Sequence, residues 1–114
     1  MDERLEKALE FANYRTTIEA QRKAIKRRFK SMSIVHHSNG VFVADDKSIC
    51  FVALMAENYD DAVVIDSKGN PIEIADLKDL YTQLKEAYLQ ATNEYYSEIK
   101  KLSLARSIKK ALDW

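Results

Sequence analysis

The sequence of 114 residues has little glycine, proline or cysteine: two glycines, one proline and one cysteine. Chains so poor in glycine and proline are not collagen-like, disordered or rich in linkers, and they favour long helices. The single cysteine, Cys50, excludes an intramolecular disulfide and a cysteine-rich zinc site. This cysteine usage is typical of a reducing compartment.

The sequence also lacks long apolar runs and an excess of charge of either sign. The N-terminal residues MDERLEKALEF contain no apolar signal core, and no apolar run approaches the length of a membrane span. We therefore expect no membrane partner and no secretion by a signal peptide. Lys plus Arg and Asp plus Glu both number 18, so the whole-chain charge predicts no preference for nucleic acid or an anionic membrane.

The residues that are present predict one α+β domain, residues 1–114. Apolar residues recur at helical spacing from about Asp2 to Lys30, which predicts a long N-terminal helix. A second helical pattern begins after Asp76 and predicts a long C-terminal helix. Strand-like segments lie between the two.

Two turn signals predict two β-hairpins that form a small antiparallel sheet. In the first, Asn39-Gly40 separates two short runs of β-forming residues. The second joins Val63–Asp66 to Ile72–Ile74, with Pro71 at the turn or at the first position of the returning strand. Residues 48–56 follow two aspartates and fit a short capped helix, although a buried strand fits almost as well.

No set of residues has the types and spacing that catalysis or metal binding requires. His36 and His37 are adjacent, so in a strand their side chains point to opposite faces and cannot chelate one ion together. Asp66 precedes Ser-Lys-Gly, where an aspartate often accepts hydrogen bonds from turn amides. We therefore expect a protein that is not an enzyme and that has no catalytic residues, no metal site and no cofactor.

The C-terminal helix carries a stripe of large apolar and aromatic residues at alternating four- and three-residue steps, as in a coiled coil. With so few strands to cover the apolar surface, this stripe predicts a homo-oligomer. The residues expected to carry self-association are Leu77, Tyr81, Leu84, Tyr88, Tyr95 and Leu102. The alternative is that the two long helices cover each other in a monomer.

A dense basic run near the end of the first helix predicts an alternative function. Helical spacing places its members on one broad face: Arg22, Lys23, Lys26, Arg27 and Lys30. Such a face could follow a phosphate backbone, which would make the protein an RNA- or DNA-binding module. Aromatic residues for base stacking are missing from the run, so a solvated or salt-bridged face is the competing interpretation.

Three blocks of the sequence resemble small proteins of T-even-type tailed phages of marine bacteria: LEKALEFANYRTT at 5–17, IDSKGNPIEIADL at 65–77 and ATNEY at 91–95. The resemblance covers nearly the whole chain, but it transfers no residue role. It implies a structural role in virion assembly, in the head core or as a scaffold. The implied partners are phage structural proteins, and the implied location is the host cytoplasm or the virion.

The predicted order of elements is also similar to that of Sm-like proteins, in which a helix precedes a small, strongly bent sheet. These proteins form rings by pairing sheet edges, and they bind RNA. The similarity implies a barrel-like sheet, which would require residues 48–56 to form a strand. It supports the nucleic-acid-binding alternative.

Overall fold

A computed structural model describes the backbone of residues 2–113 and the side chains of residues 2–105. The elements follow in the order α1 (Glu3–Met32), β1 (Ile34–His37), β2 (Gly40–Val43), α2 (Asp46–Asn58), β3 (Ala62–Ile65), β4 (Pro71–Ile74) and α3 (Leu77–Asp113). The predicted α+β layout with long terminal helices is confirmed. The chain divides into two compact units, and the single domain stays a prediction: unit 1 joins α1 up to Arg28 with α3 from Tyr95, and unit 2 spans Phe29–Glu94.

The four strands form two separate sheets, which corrects the prediction of one small sheet. Strand β1 pairs antiparallel with β2, and β3 pairs antiparallel with β4. Neither sheet closes into the barrel that an Sm-like fold requires. The physical reason is that the segment between the hairpins is helical and supplies no strand to connect them.

Helix α2 settles the alternative that the sequence left open for residues 48–56. Asp45 caps its N-terminus, because the carboxylate accepts a hydrogen bond from the Ser48 amide at 2.7 Å. Val52 is buried, and Ile49 and Met55 pack against the same core at helical spacing. Apolar Phe51 is half-exposed on another side of the helix.

The turn of the first hairpin differs by one position from the prediction. The residues with positive φ are Ser38 (51°) and Asn39 (69°), while Gly40 is already the first residue of β2. Gly40 is needed for packing, because a Cβ atom there would lie 2.7 Å from Cγ1 of Ile72. Glycine in this turn segment therefore reflects contact with the second hairpin and not turn conformation.

The core of unit 2 receives one face from each of its elements. The hairpins contribute alternate residues, and α2 and α3 each contribute one side. The buried residues are Val35, Phe42, Ala44, Val52, Val64, Ile74, Leu77, Leu80 and Leu84.

The carboxylate of Asp66 joins the two hairpins. Its Oδ1 accepts hydrogen bonds from the amides of Lys68 (3.0 Å) and Asn70 (2.9 Å) in its own turn. Its Oδ2 accepts a third from the Val41 amide of β2 at 3.0 Å. Ser67 completes the junction, since its amide and its hydroxyl both donate to the Val41 carbonyl. The predicted role of Asp66 in its turn is confirmed, and the bond to β2 is an addition.

The same hydrogen bonds stabilise the ionised form of Asp66. The amides of Val41 and Asn70 hold its pKa below the usual 3.8, with smaller contributions in the same direction from Lys68. A carboxylate with a lowered folded-state pKa adds stability at pH values above its unfolded pKa. That contribution is lost as the pH falls through the folded pKa.

We predict that Asp66→Asn lowers the free energy of unfolding at neutral pH, since an amide NH₂ replaces one acceptor and faces a backbone N–H. Urea unfolding over a pH series should show that the variant's free energy of unfolding is lower than that of wild type by a constant amount well above pH 3.8. This difference is the deficit. The deficit should shrink as the pH falls below that value, because wild type then loses the same contribution. Exposed Asp61→Asn is the control and should show no such pattern. A deficit that persists unchanged into acid would contradict the role of the charge.

Candidate interaction surfaces

The residues predicted to carry self-association lie on α3, and the structure buries several of them within the chain. Leu77 and Leu84 are fully buried in the core of unit 2. Tyr81 and Tyr88 are half-buried and pack against that core. Leu77 and Leu84 therefore have no surface left for a second subunit in this fold.

The remaining two residues of the stripe belong to unit 1. Leu102 is buried there and Tyr95 is half-buried. Leu80, which lies off the predicted stripe, is also fully buried. Helix α3 thus has a wider apolar face than a coiled-coil seam. Any role of Tyr81, Tyr88 and Tyr95 in self-association stays a prediction.

In unit 1, α1 and α3 line a shallow groove. Gln21, Ala24, Ile25 and Arg28 of α1 form one side. Glu98, Lys101, Leu102 and Ala105 of α3 form the other. Tyr14, Ile18 and Ile25 are the half-buried residues of this part of α1. No residue of α1 is fully buried.

Several large apolar side chains are exposed among the described residues, and three pairs of them lie within four residues of each other on the same face of their element. Single exposed residues are normal on soluble proteins, whereas neighbouring ones indicate a contact surface. The pairs are Leu5 with Leu9 on α1, Phe51 with Leu54 on α2, and Val63 with Ile65 on β3.

The predicted basic face is present on α1. All five of its side chains are exposed: Arg22, Lys23, Lys26, Arg27 and Lys30. None of the five forms a salt bridge within the described part of the chain. The face is therefore solvated, and its cations are available to an anionic partner.

The two histidines point to opposite faces of β1, as predicted. His36 is exposed, and Nε2 of His37 lies 2.9 Å from Oδ2 of Asp79 on the first turn of α3. Ser38 Oγ lies 2.8 Å from the other ring nitrogen of His37. This network ties the β1–β2 turn to α3. The sequence does not reveal it, because its two ends are 42 residues apart.

Among the described residues, no cluster of three or more His, Cys, Asp or Glu side chains is placed to hold a metal ion. No described helix is long and apolar enough to cross a membrane. Comparison with models of protein families, with curated proteins and with solved structures finds no match to this chain. The surfaces of the chain are therefore the structural basis for a functional proposal.

We predict that Leu84→Ala lowers the free energy of unfolding by about 2–5 kcal/mol, because it leaves a cavity in the core of unit 2. The loss should not depend on protein concentration, since Leu84 is covered within one chain. Leu89→Ala, at a half-exposed position of the same helix, is the matched control and should cost less than about 1 kcal/mol. Chemical denaturation at two protein concentrations measures both. A loss that grows on dilution would instead place Leu84 in a contact between subunits.

Proposed function

We propose that the protein is not an enzyme and that it self-associates. The observation that carries the proposal is helix α1, which has 30 residues and buries none of them. A helix in water derives most of its stability from packing an apolar face, so a long helix without buried residues lacks part of its support. Contact with a second copy would supply it.

The surface proposed for this contact lies on the side of α1 that faces away from the groove. Leu5 and Leu9 are one turn apart and are 50% and 47% exposed. Leu9 and half-buried Ile18 are separated by nine residues, or two and a half helical turns, so they lie on opposite sides. Ala12 and Thr16 continue the outward face with small side chains.

The size of this surface indicates a modest contribution to binding. Burying the exposed halves of four leucines in a two-fold contact contributes on the order of 3–6 kcal/mol. After the loss of rotational and translational freedom, that amount alone supports only weak association. A stable oligomer therefore needs a further contact.

We place this self-association in the assembly of a tailed-phage particle, as a virion, head-core or scaffolding component. The support is the resemblance of three blocks of the sequence to small phage proteins. Other phage structural proteins are the proposed partners, and the host cytoplasm or the virion is the proposed location. Small proteins that build particles act through repeated surface contacts, which suits a chain with several exposed apolar pairs.

We predict that light scattering after size exclusion gives a mass above that of one chain, and that Leu5→Lys combined with Leu9→Lys lowers it. The two lysines would remove the apolar contact made by the leucines. They would also repel the same lysines of the second copy. Circular dichroism should show unchanged helix content, because both positions are exposed.

The matched control is Gln90→Lys, which adds positive charge at an exposed polar position of α3. Its mass should equal that of wild type. A wild-type chain that stays monomeric at every concentration would sink the proposal of self-association. An oligomer that tolerates both leucine changes would remove α1 from the contact.

The second candidate is binding of RNA or DNA by the basic face of α1. It is favoured by five exposed cations that have no salt-bridge partner in the described part of the chain. The candidate relies on this helix alone, since an Sm-like ring requires the barrel that the sheets do not form. Phosphate neutralisation would supply affinity without sequence preference.

For this candidate we predict a steep salt dependence of binding to a fluorescent oligonucleotide. Neutralising five phosphates of a duplex gives a slope of about −4.5 in log affinity against log salt. Lys23→Gln should reduce its magnitude by about 1. Lys68→Gln, in the turn of the second hairpin, removes the same charge elsewhere and should leave the slope unchanged. Absence of binding at low salt would dismiss the candidate.

A further inference from the structure

We propose that Ser38 is an acylation site, at which an activated carboxylic ester transfers its acyl group to the serine hydroxyl. The nucleophile is Oγ of Ser38, the general base is His37, and Asp79 positions the base. This inference goes beyond the proposed self-association and does not depend on the oligomeric state. It concerns one covalent modification of the chain and not the turnover of a substrate.

Two hydrogen bonds connect the three side chains in a row. Oγ of Ser38 lies 2.8 Å from Nδ1 of His37, and Nε2 of the same ring lies 2.9 Å from Oδ2 of Asp79. A serine within hydrogen-bond reach of a base, with the base oriented by a third group, is the arrangement that activates a serine as a nucleophile. Such an arrangement is recognised by its geometry and not by the order of its residues in the sequence.

The carboxylate of Asp79 determines which nitrogen of His37 carries the proton. An ionised carboxylate only accepts hydrogen bonds, so Nε2 must be the donor in this pair. In the neutral ring Nδ1 is then the acceptor, and the hydroxyl of Ser38 donates to it. Oδ2 of Asp79 also accepts from Nε2 of Gln83 at 3.0 Å, which holds the carboxylate in place. The lone pair of the base thus faces the proton that acylation must remove.

The three side chains differ in exposure in the way that this reaction requires. Ser38 is exposed, so its hydroxyl is open to a reagent. The side chain of His37 is 11% exposed, whereas that of Asp79 is 50% exposed. Because the imidazole ring is mostly covered and is bonded at both nitrogens, it is held in one orientation toward the hydroxyl.

The backbone of the turn supplies two further groups. Ser38 and Asn39 have φ angles of 51° and 69°, which are uncommon for residues other than glycine and are enriched at active sites. The amides of both residues make no hydrogen bond within the described part of the chain. In acyl-transfer sites, the amide of the nucleophile or of the next residue donates to the oxyanion that develops on the acyl group. Both amides of this turn are available for that role.

The proposed step is balanced between the chain and the ester. Oγ of Ser38 forms a bond to the carbonyl carbon of the ester, while the hydroxyl proton passes to Nδ1 of His37. The bond from that carbon to the leaving oxygen then breaks, and the leaving oxygen keeps the electron pair. His37 gives its proton to the leaving group or to water, and the acyl group remains on the serine as an ester.

The test uses p-nitrophenyl acetate as the acyl donor and measures the acetylation of each residue by mass spectrometry. Cleavage after lysine and arginine releases Ser38 in segment 31–47, which also contains exposed Ser31. Ser31 is the internal control, because its hydroxyl makes no hydrogen bond to a base in the described part of the chain. General-base catalysis contributes about 10²–10⁴-fold, so Ser38 should be acetylated about a hundredfold faster than Ser31.

Four variants test the role of each side chain. Ser38→Gly removes the hydroxyl but accepts a positive φ, so acetylation at this position should be lost. His37→Gln should remove the excess of Ser38 over Ser31. Asp79→Asn should lower that excess by about tenfold or more, and Asp79→Glu, which restores a carboxylate, should recover part of it. Circular dichroism identifies any variant that does not fold, and the comparison of the two serines in wild type then decides.

The outcomes are distinct from those of the self-association test. Equal acetylation of Ser38 and Ser31 in wild type would overturn the proposal, and so would an excess that survives His37→Gln in a folded protein. Acetylation of the His37 ring with none at Ser38 would also overturn it, since the histidine would then be the nucleophile. An excess at Ser38 that disappears with His37→Gln supports the acylation site, whatever mass light scattering gives.

Discussion

The hydrogen bonds of Asp66 are the constraint on which the arrangement of unit 2 depends. A two-stranded hairpin is marginally stable alone, and this unit contains two that share no ladder. Asp66 organises its own turn and also accepts from Val41 of the other hairpin. The same contact, with the bonds from Ser67, occupies the outward backbone amide and carbonyl of Val41 in β2. The bonds that join the hairpins therefore also satisfy part of a strand edge that would otherwise be unpaired.

The parts of the fold that were predictable from the sequence are those with local causes. Asp45 accepts from an amide three residues later, and Asp76 does the same at the start of α3. Pro71 begins β4, where its missing N–H removes nothing from the ladder. Each of these signals acts within one turn of chain, so the pattern of residues contains the whole interaction.

The parts that were not predictable depend on residues distant in sequence. Gly40 is selected by the nearness of Ile72, and the carboxylate of Asp79 meets His37 across 42 residues. The apolar stripe on α3 shows the same limit of sequence-based prediction for the residues expected to carry self-association. Alternating steps of three and four describe a helix that packs on its own core equally well as one that packs on a second chain. Leu84 follows the pattern of an interface and is buried in its own unit.

The residues at the two ends of α1 differ in whether they have a structural use within one chain. Cations near a helix C-terminus interact favourably with the macrodipole, and Lys30 lies in the last turn. The basic run therefore has a structural use that requires no nucleic acid. Leu5 and Leu9 have no comparable use, because exposed leucines at the other end neither cap the helix nor compensate its dipole. Covering this pair of leucines would bury apolar surface and stabilise the helix, which is why we propose self-association ahead of binding of nucleic acid.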